Sequence, residues 1–174
     1  MATFGRTTIG GTTANQGANF AQVTGPFTLS ESGTVTSISM YLDSGGATAS
    51  QQWTCLIYDD SAGVPNNLKV TSAEVVIAAG AAAAWVDFAV SPGVALTAGT
   101  YWVGFEAGVT SAQVFFHFDV LTPGRSYVAN TYPTAPNPFG TASTDTDAFS
   151  AYATYTPTAV SPLSRVAMAP YLPN

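Results

Sequence analysis

One histidine, one cysteine, three tryptophans and ten carboxylates are the side chains on which any chemistry in this chain would rest. His117 stands in the run Val114-Phe115-Phe116-His117-Phe118-Asp119-Val120, where strand alternation alone puts it on the same face as Asp119. A Ser-His-Asp relay also needs a serine on a strained turn, and no Gly-x-Ser-x-Gly occurs. With no second histidine, a histidine-rich metal site within one chain is excluded. His117 is read as an ordinary strand residue. Cys55, inside Trp53-Thr54-Cys55-Leu56-Ile57-Tyr58, has no partner for an intramolecular disulfide and reads as a small buried apolar group.

Glycoside hydrolysis needs two carboxyls flanking the bond to be cut. The acids Glu31, Asp43, Asp59, Asp60, Glu74, Asp87, Glu106, Asp119, Asp145 and Asp147 sit mostly at turns or strand ends, where turn chemistry accounts for them. Asp59-Asp60-Ser61 ahead of Gly63 has oxygens that suit calcium, but lacks the longer ligand ladder and final glutamate of an EF-hand loop. No phosphate-cradling Gly-x-x-x-x-Gly-Lys motif is present. The expectation is a non-enzymatic chain with no cofactor and no metal. Trp53, Trp85 and Trp102 each fall within a strand pattern and read as packing residues; only an exposed pair on one face would make a sugar-stacking platform.

The elements that hold these residues are short alternating runs cut by Gly, Pro, Asp and Asn. Strands are predicted near 20–30, 34–43, 51–58, 67–77, 84–90, 99–107, 113–120 and 147–156. Ile38, Met40 and Leu42 should face inward and Ser37, Ser39 and Tyr41 outward. Trp53-Cys55-Ile57 and Thr54-Leu56-Tyr58 make both faces of one strand apolar, so that strand should be central. Gly104 should admit a close neighbour. Turns are predicted at 31–33, 43–46, 59–67 and 91–93. The Ala-rich run 78–84 is read as a turn or extended connection, with a single helical turn as the alternative. The predicted fold is all-β, a two-sheet antiparallel β-sandwich (jelly roll) of about eight strands. Residues 1–19 form an N-terminal arm, 20–156 the sandwich with a long loop at 121–147, and 157–174 a Pro-rich C-terminal arm.

The 174 residues suit one domain. Only 8% are charged, with a formal net charge of -6, which removes the basic footprint of a nucleic-acid binder. A surface so poor in charge and rich in aromatics suits coverage by partners. No run of 18 apolar residues occurs, and the first residues lack the basic start and apolar centre of a secretory signal, so neither membrane insertion nor self-directed export is expected.

The succession Phe27 to Asp43 (FTLSESGTVTSISMYLD), Ile57 to Pro65 (IYDDSAGVP) and Leu96 to Gly104 (LTAGTYWVG) resembles a jelly-roll module. That module occurs in bacteriophage virion structural proteins of the capsid-decoration or fibre type, and as an accessory module of secreted bacterial proteins. The resemblance covers about residues 20–120 and carries over no catalytic residues. It implies a virion protein, most simply a capsid decoration protein bound to the outer shell or to neighbouring subunits as a symmetric homo-oligomer such as a trimer. The expected interface residues are Phe4 and Ile9 in the first arm, Tyr127, Tyr132 and Phe139 in the long loop, and Leu163, Val166, Met168, Tyr171 and Leu172 in the last arm. The alternative is a carbohydrate- or receptor-binding module in which aromatics between Tyr127 and Phe139 stack on a glycan.

Overall fold

The computed structural model of the chain describes residues 1–15, 18–108 and 114–159. Among them every regular element is a strand: β1 (Ala2–Gly5), β2 (Thr12–Asn15), β3 (Phe20–Leu29), β4 (Gly33–Asp43), β5 (Gln51–Ser61), β6 (Val64–Thr71), β7 (Val75–Ile77), β8 (Ala84–Leu96), β9 (Gly99–Ala107), β10 (Phe115–Ala129), β11 (Ser143–Phe149) and β12 (Ala151–Pro157). All pairings are antiparallel. The main order is β1-β12-β4-β10-β3-β9-β5-β6, with β2 and β11 on β10, β7 on β5 and β8 on β4.

The all-β expectation holds, while the count of eight rises to twelve. Two of the additional strands come from the expected N-terminal arm. Ala2–Gly5 pairs with β12 and Thr12–Asn15 with β10, and Phe4 packs in the main core against Tyr101 and Tyr155. Small residues around Phe4 give too little alternation to reveal a strand in the sequence. The predicted strand 67–77 divides into β6 and β7, and 147–156 divides at Ser150 into β11 and β12.

The loop expected at 121–147 contracts to 130–142. Pro123 and Gly124 read as loop residues, yet the chain continues extended through them. A register shift between Val120 and Arg125 absorbs the irregularity, and Arg125 to Ala129 pair with β3. Likewise Ser91-Pro92-Gly93 is no chain reversal but lies inside β8, opposite a register shift between Val35 and Ser37 of β4. Proline is tolerated there because, among the described residues, β8 pairs with β4 alone, leaving an edge where no ladder donor is required. The predicted turn at 59–67 tightens to two residues, Ala62 and Gly63, whose positive φ values of 55° and 85° suit a primed hairpin turn between β5 and β6. The Ala-rich run forms a turn at Ala79-Gly80.

Core residues follow the predicted alternation. Ile38, Met40 and Leu42 are buried in one cluster with Trp53, Cys55, Ile57, Val103 and Phe105. β1 and β9 lie at opposite ends of the path β1-β12-β4-β10-β3-β9, yet the rings of Phe4 and Tyr101 are 5.9 Å apart, so distant strands share this core. β5 is flanked by β9 on one side and β6 and β7 on the other, as its two apolar faces require. Its second face, with Leu56 and Tyr58, joins Ala21, Val23, Trp102 and Phe139 in a separate cluster. The segment 130–142 closes that cluster. Phe139 N–H donates to the Asn66 carbonyl, and Tyr58 Oη donates to the Pro136 carbonyl at 2.7 Å.

Candidate functional site

The structure disperses the expected interface residues. Phe4 (5% exposed) and Phe139 (1% exposed) are spent on the chain's own two cores, so neither has a ring free for a partner. Tyr132 is half-buried; its hydroxyl bonds to Glu74 and lies 3.2 Å from Thr54 Oγ1, which ties the long segment down on the sheet. Burial, reinforced by Glu74, pushes its phenol up to about 12. Tyr127 packs edge-on against Phe20 and lies 4.8 Å under the Arg125 guanidinium. Ile9 alone of these is well exposed. Leu163, Val166, Met168, Tyr171 and Leu172 lie outside the described residues. Of the rings expected to stack on a ligand between Tyr127 and Phe139, Phe139 is buried in the second core, while Tyr127 and Tyr132 stay half-buried.

The groups singled out for chemistry also have separate partners. His117 Nδ1 is 3.3 Å from the Gly10 carbonyl, whereas Asp119 pairs with Arg6 and accepts from Gly11 N–H. Cys55 is buried, and burial pushes its thiol well up. At the Asp59-Asp60 turn, burial raises the Asp59 carboxyl, but bonds from Lys69 and Asn67 outweigh this and hold it below the usual range. Asp60 accepts from Trp102 Nε1 at 2.8 Å and from Gly63 N–H. Asp145 and Asp147 both pair with Arg125. Among the described residues no three His, Cys, Asp or Glu side chains converge on one point.

What the register does assemble is an aromatic face on the outward side of β4. The pleat that buries Ile38, Met40 and Leu42 turns Ser39 and Tyr41 outward. Tyr41 stands opposite Trp85 of β8, and Ser39 stands between Asp87 of β8 and Tyr152 of β12. Trp85 leans across this small serine to meet Tyr152, with centroids 5.0 Å apart at 62°, and meets Tyr41 at 5.5 Å and 74°. His117 of β10 completes the row, 4.8 Å from Tyr41. All four rings are half-buried, while Ser39 beneath them is only 1% exposed and donates to Asp87 Oδ1 at 2.5 Å. On the far side of Tyr152 the cross-strand partner is Gly5, which contributes no side chain. Tyr41 is expected outward from SISMYLD, whereas Trp85, read as a packing residue, is half-buried on the same outward face; the alternation in WVDF and AYATY is the signal that could have placed Trp85 and Tyr152 there.

A second polar feature lies on the outward side of β9. Glu106 is fully buried between Ala21 and Thr54; Oε2 accepts from Asn130 Nδ2, and Oε1 has no partner among the described residues. Burial raises its carboxyl, and the Asn130 bond only partly opposes this. A carboxyl whose native pKa lies above its unfolded one stabilises the fold most below the unfolded value. That stability is lost as pH rises through the native value. Glu106→Gln, neutral at every pH, should lie closest to the native chain at low pH and gain on it as pH rises through the native value. Urea unfolding at pH 4, 6 and 8 measures this, and parallel pH profiles for the two proteins would refute it.

Comparison of the chain with protein-family models, curated proteins and solved structures finds no match.

Proposed function

We propose that this chain is a non-enzymatic bacteriophage virion protein, a two-sheet jelly-roll sandwich that decorates the outer capsid and associates with its own copies. The sharing of one core by distant strands, with Phe4 against Tyr101, supports the two-sheet arrangement. The virion assignment rests on the resemblance of the three motifs together with a sequence of which only 8% is charged, which suits coverage by partners.

The observation that most favours a contact role is an apolar corner. Val120 is 67% exposed and Leu121 46% exposed. Leu121 lines a cleft of about 340 Å³ together with Pro123, Pro26, Phe27 and Thr8, and Thr8 is followed by Ile9, itself 52% exposed. Exposed apolar groups gathered beside a cleft are characteristic of surfaces that bind protein. Each described Lys or Arg, namely Arg6, Lys69 and Arg125, is already paired with a carboxylate, so apolar burial rather than charge would drive the contact.

The C-terminal contribution is tested by ending the chain at Ala159. A cut at 157 would reach the folded body, since β12 includes Pro157 and Thr158 N–H donates to the Ser32 carbonyl. Light scattering of the full chain should give an oligomer that co-sediments with undecorated capsids. The chain ending at Ala159, and separately Val120→Asp with Leu121→Asp, should stay folded but lose mass and co-sedimentation. A full chain that remains monomeric at all concentrations and ignores capsids would end this reading.

A further inference from the structure

The cleft beside Leu121, the Arg125-Asp145-Asp147 cluster and buried Glu106 all have internal partners or belong to features already described. On the outward face of β4 the rings pack on one another and on His117 and remain half-buried. We propose that Tyr41, Trp85 and Tyr152, with Asp87 at their rim, form a binding site for a neutral glycan, independently of whether the chain sits on a capsid.

The ring geometry gives the first reason. Three aromatic rings on an outward sheet face are held edge to face by each other, and are half-buried rather than sealed beneath a loop. Rings fixed in this way present apolar area at low entropic cost, which suits the C–H faces of a pyranose. The Tyr58-Phe139 pair is the contrast: the same ring chemistry, but covered by segment 130–142.

The polar rim gives the second reason. Asp87 is exposed, and its Oδ1 is fixed by the buried Ser39 hydroxyl, so its carboxylate is positioned to accept from ligand hydroxyls. Asp43 lies further along the same outward row of β4, and its Oδ1 accepts from Gly45 N–H at 2.7 Å. Sugar hydroxyls are donors in excess, and carboxylates are strong acceptors for them. The described Lys and Arg side chains offer little attraction to an acidic ligand, because Arg6, Lys69 and Arg125 are all ion-paired. The rim therefore favours an uncharged saccharide and opposes sulfated, sialylated or phosphorylated ones. His117, edge-on to Tyr41 with Nε2 buried and lacking a partner among the described residues, supports the row from below its end.

The experiment is native affinity electrophoresis of the full chain in gels containing dextran, galactomannan or xylan, with heparin and polysialic acid as acidic counterparts. It is paired with tryptophan fluorescence. Trp53 and Trp102 are buried at 0% and 3% exposure, so a ligand-induced change in emission reports on Trp85. At least one neutral polysaccharide should retard the chain and shift its emission. Trp85→Ala and Tyr152→Ala should weaken retardation about tenfold or more, and Asp87→Asn, which leaves every ring in place, by a smaller factor. Circular dichroism and urea midpoints establish that each variant is folded. Retardation by none of the neutral polymers, retardation by the acidic ones alone, or full retention in both Trp85→Ala and Asp87→Asn would overturn the site. Loss of oligomer mass in Trp85→Ala without any glycan effect would assign the face to a second copy of the chain, and overturn it equally.

Discussion

Phe105→Ala should remove about 4 kcal/mol of folding stability, the middle of the range for deleting a fully buried phenylalanine. Phe105 is 0% exposed and sits where three other rings meet: Trp53 stacks on it at 4.2 Å, Phe149 lies at 5.4 Å and Phe116 at 5.6 Å. These neighbours come from β5, β11 and β10, so alanine would open a void bordered by three strands besides its own β9. Collapse around such a void is limited, because each surrounding ring is pinned by its own strand pairing. The loss is large against the roughly 5–15 kcal/mol that holds a typical domain together. A urea midpoint shift at unchanged slope measures it. Phe105→Leu should cost clearly less, and an alanine variant within about 1 kcal/mol of the native chain would show that the ring cluster is not the centre of the core.

Gly104→Ala is expected to be comparably severe, at about 3 kcal/mol or more, through overpacking rather than a void. A Cβ on Gly104 would lie 1.9 Å from the Gln22 carbonyl oxygen and 2.5 Å from Val23 Cα. Both obstacles are backbone, so no rotamer change relieves them, and the only escape is to part β3 from β9 where Val23 faces Gly104. A Cβ on Gly46 would meet nothing within 4 Å, so that position serves as the control. Soluble yield and urea midpoint should fall for Gly104→Ala and stay near native for Gly46→Ala. Equal stability of the two variants would contradict the close approach.

Local patterning carries the inner half of the fold. The alternation in β4, the two apolar faces of β5 and the need for glycine at 104 are all legible, because burial on a pleated strand writes itself into every second residue. Strands β1 and β2 are illegible for the opposite reason: Ala2, Thr3 and Gly5 make their ladder bonds with backbone and leave Phe4 as the only large apolar signal. The stretch from Val120 to Arg125 misleads because proline and glycine mark a bend whether or not the chain reverses. The aromatic face is half visible. Tyr41 is turned outward by its own strand pattern, but Trp85 reads as a packing residue, and the meeting of the three rings depends on pairings across gaps of tens of residues, which no local pattern encodes. Tyr132 and Phe139 read as loop residues because their surroundings are rich in proline, whereas the uncovered second face of β5 needs them.

The pairing of β1 with β12 also sets an order of events. Phe4 leaves the ribosome long before the strand that seats it, Ala151–Pro157, nearly the whole described chain later. Until those residues emerge, the Ala2–Gly5 edge has no ladder partner and the β4 edge at Gly33–Met40 is bare as well. The nascent chain thus carries two unpaired edges and one unsheltered phenylalanine through the synthesis of everything between, and closure of the sheet is a late step.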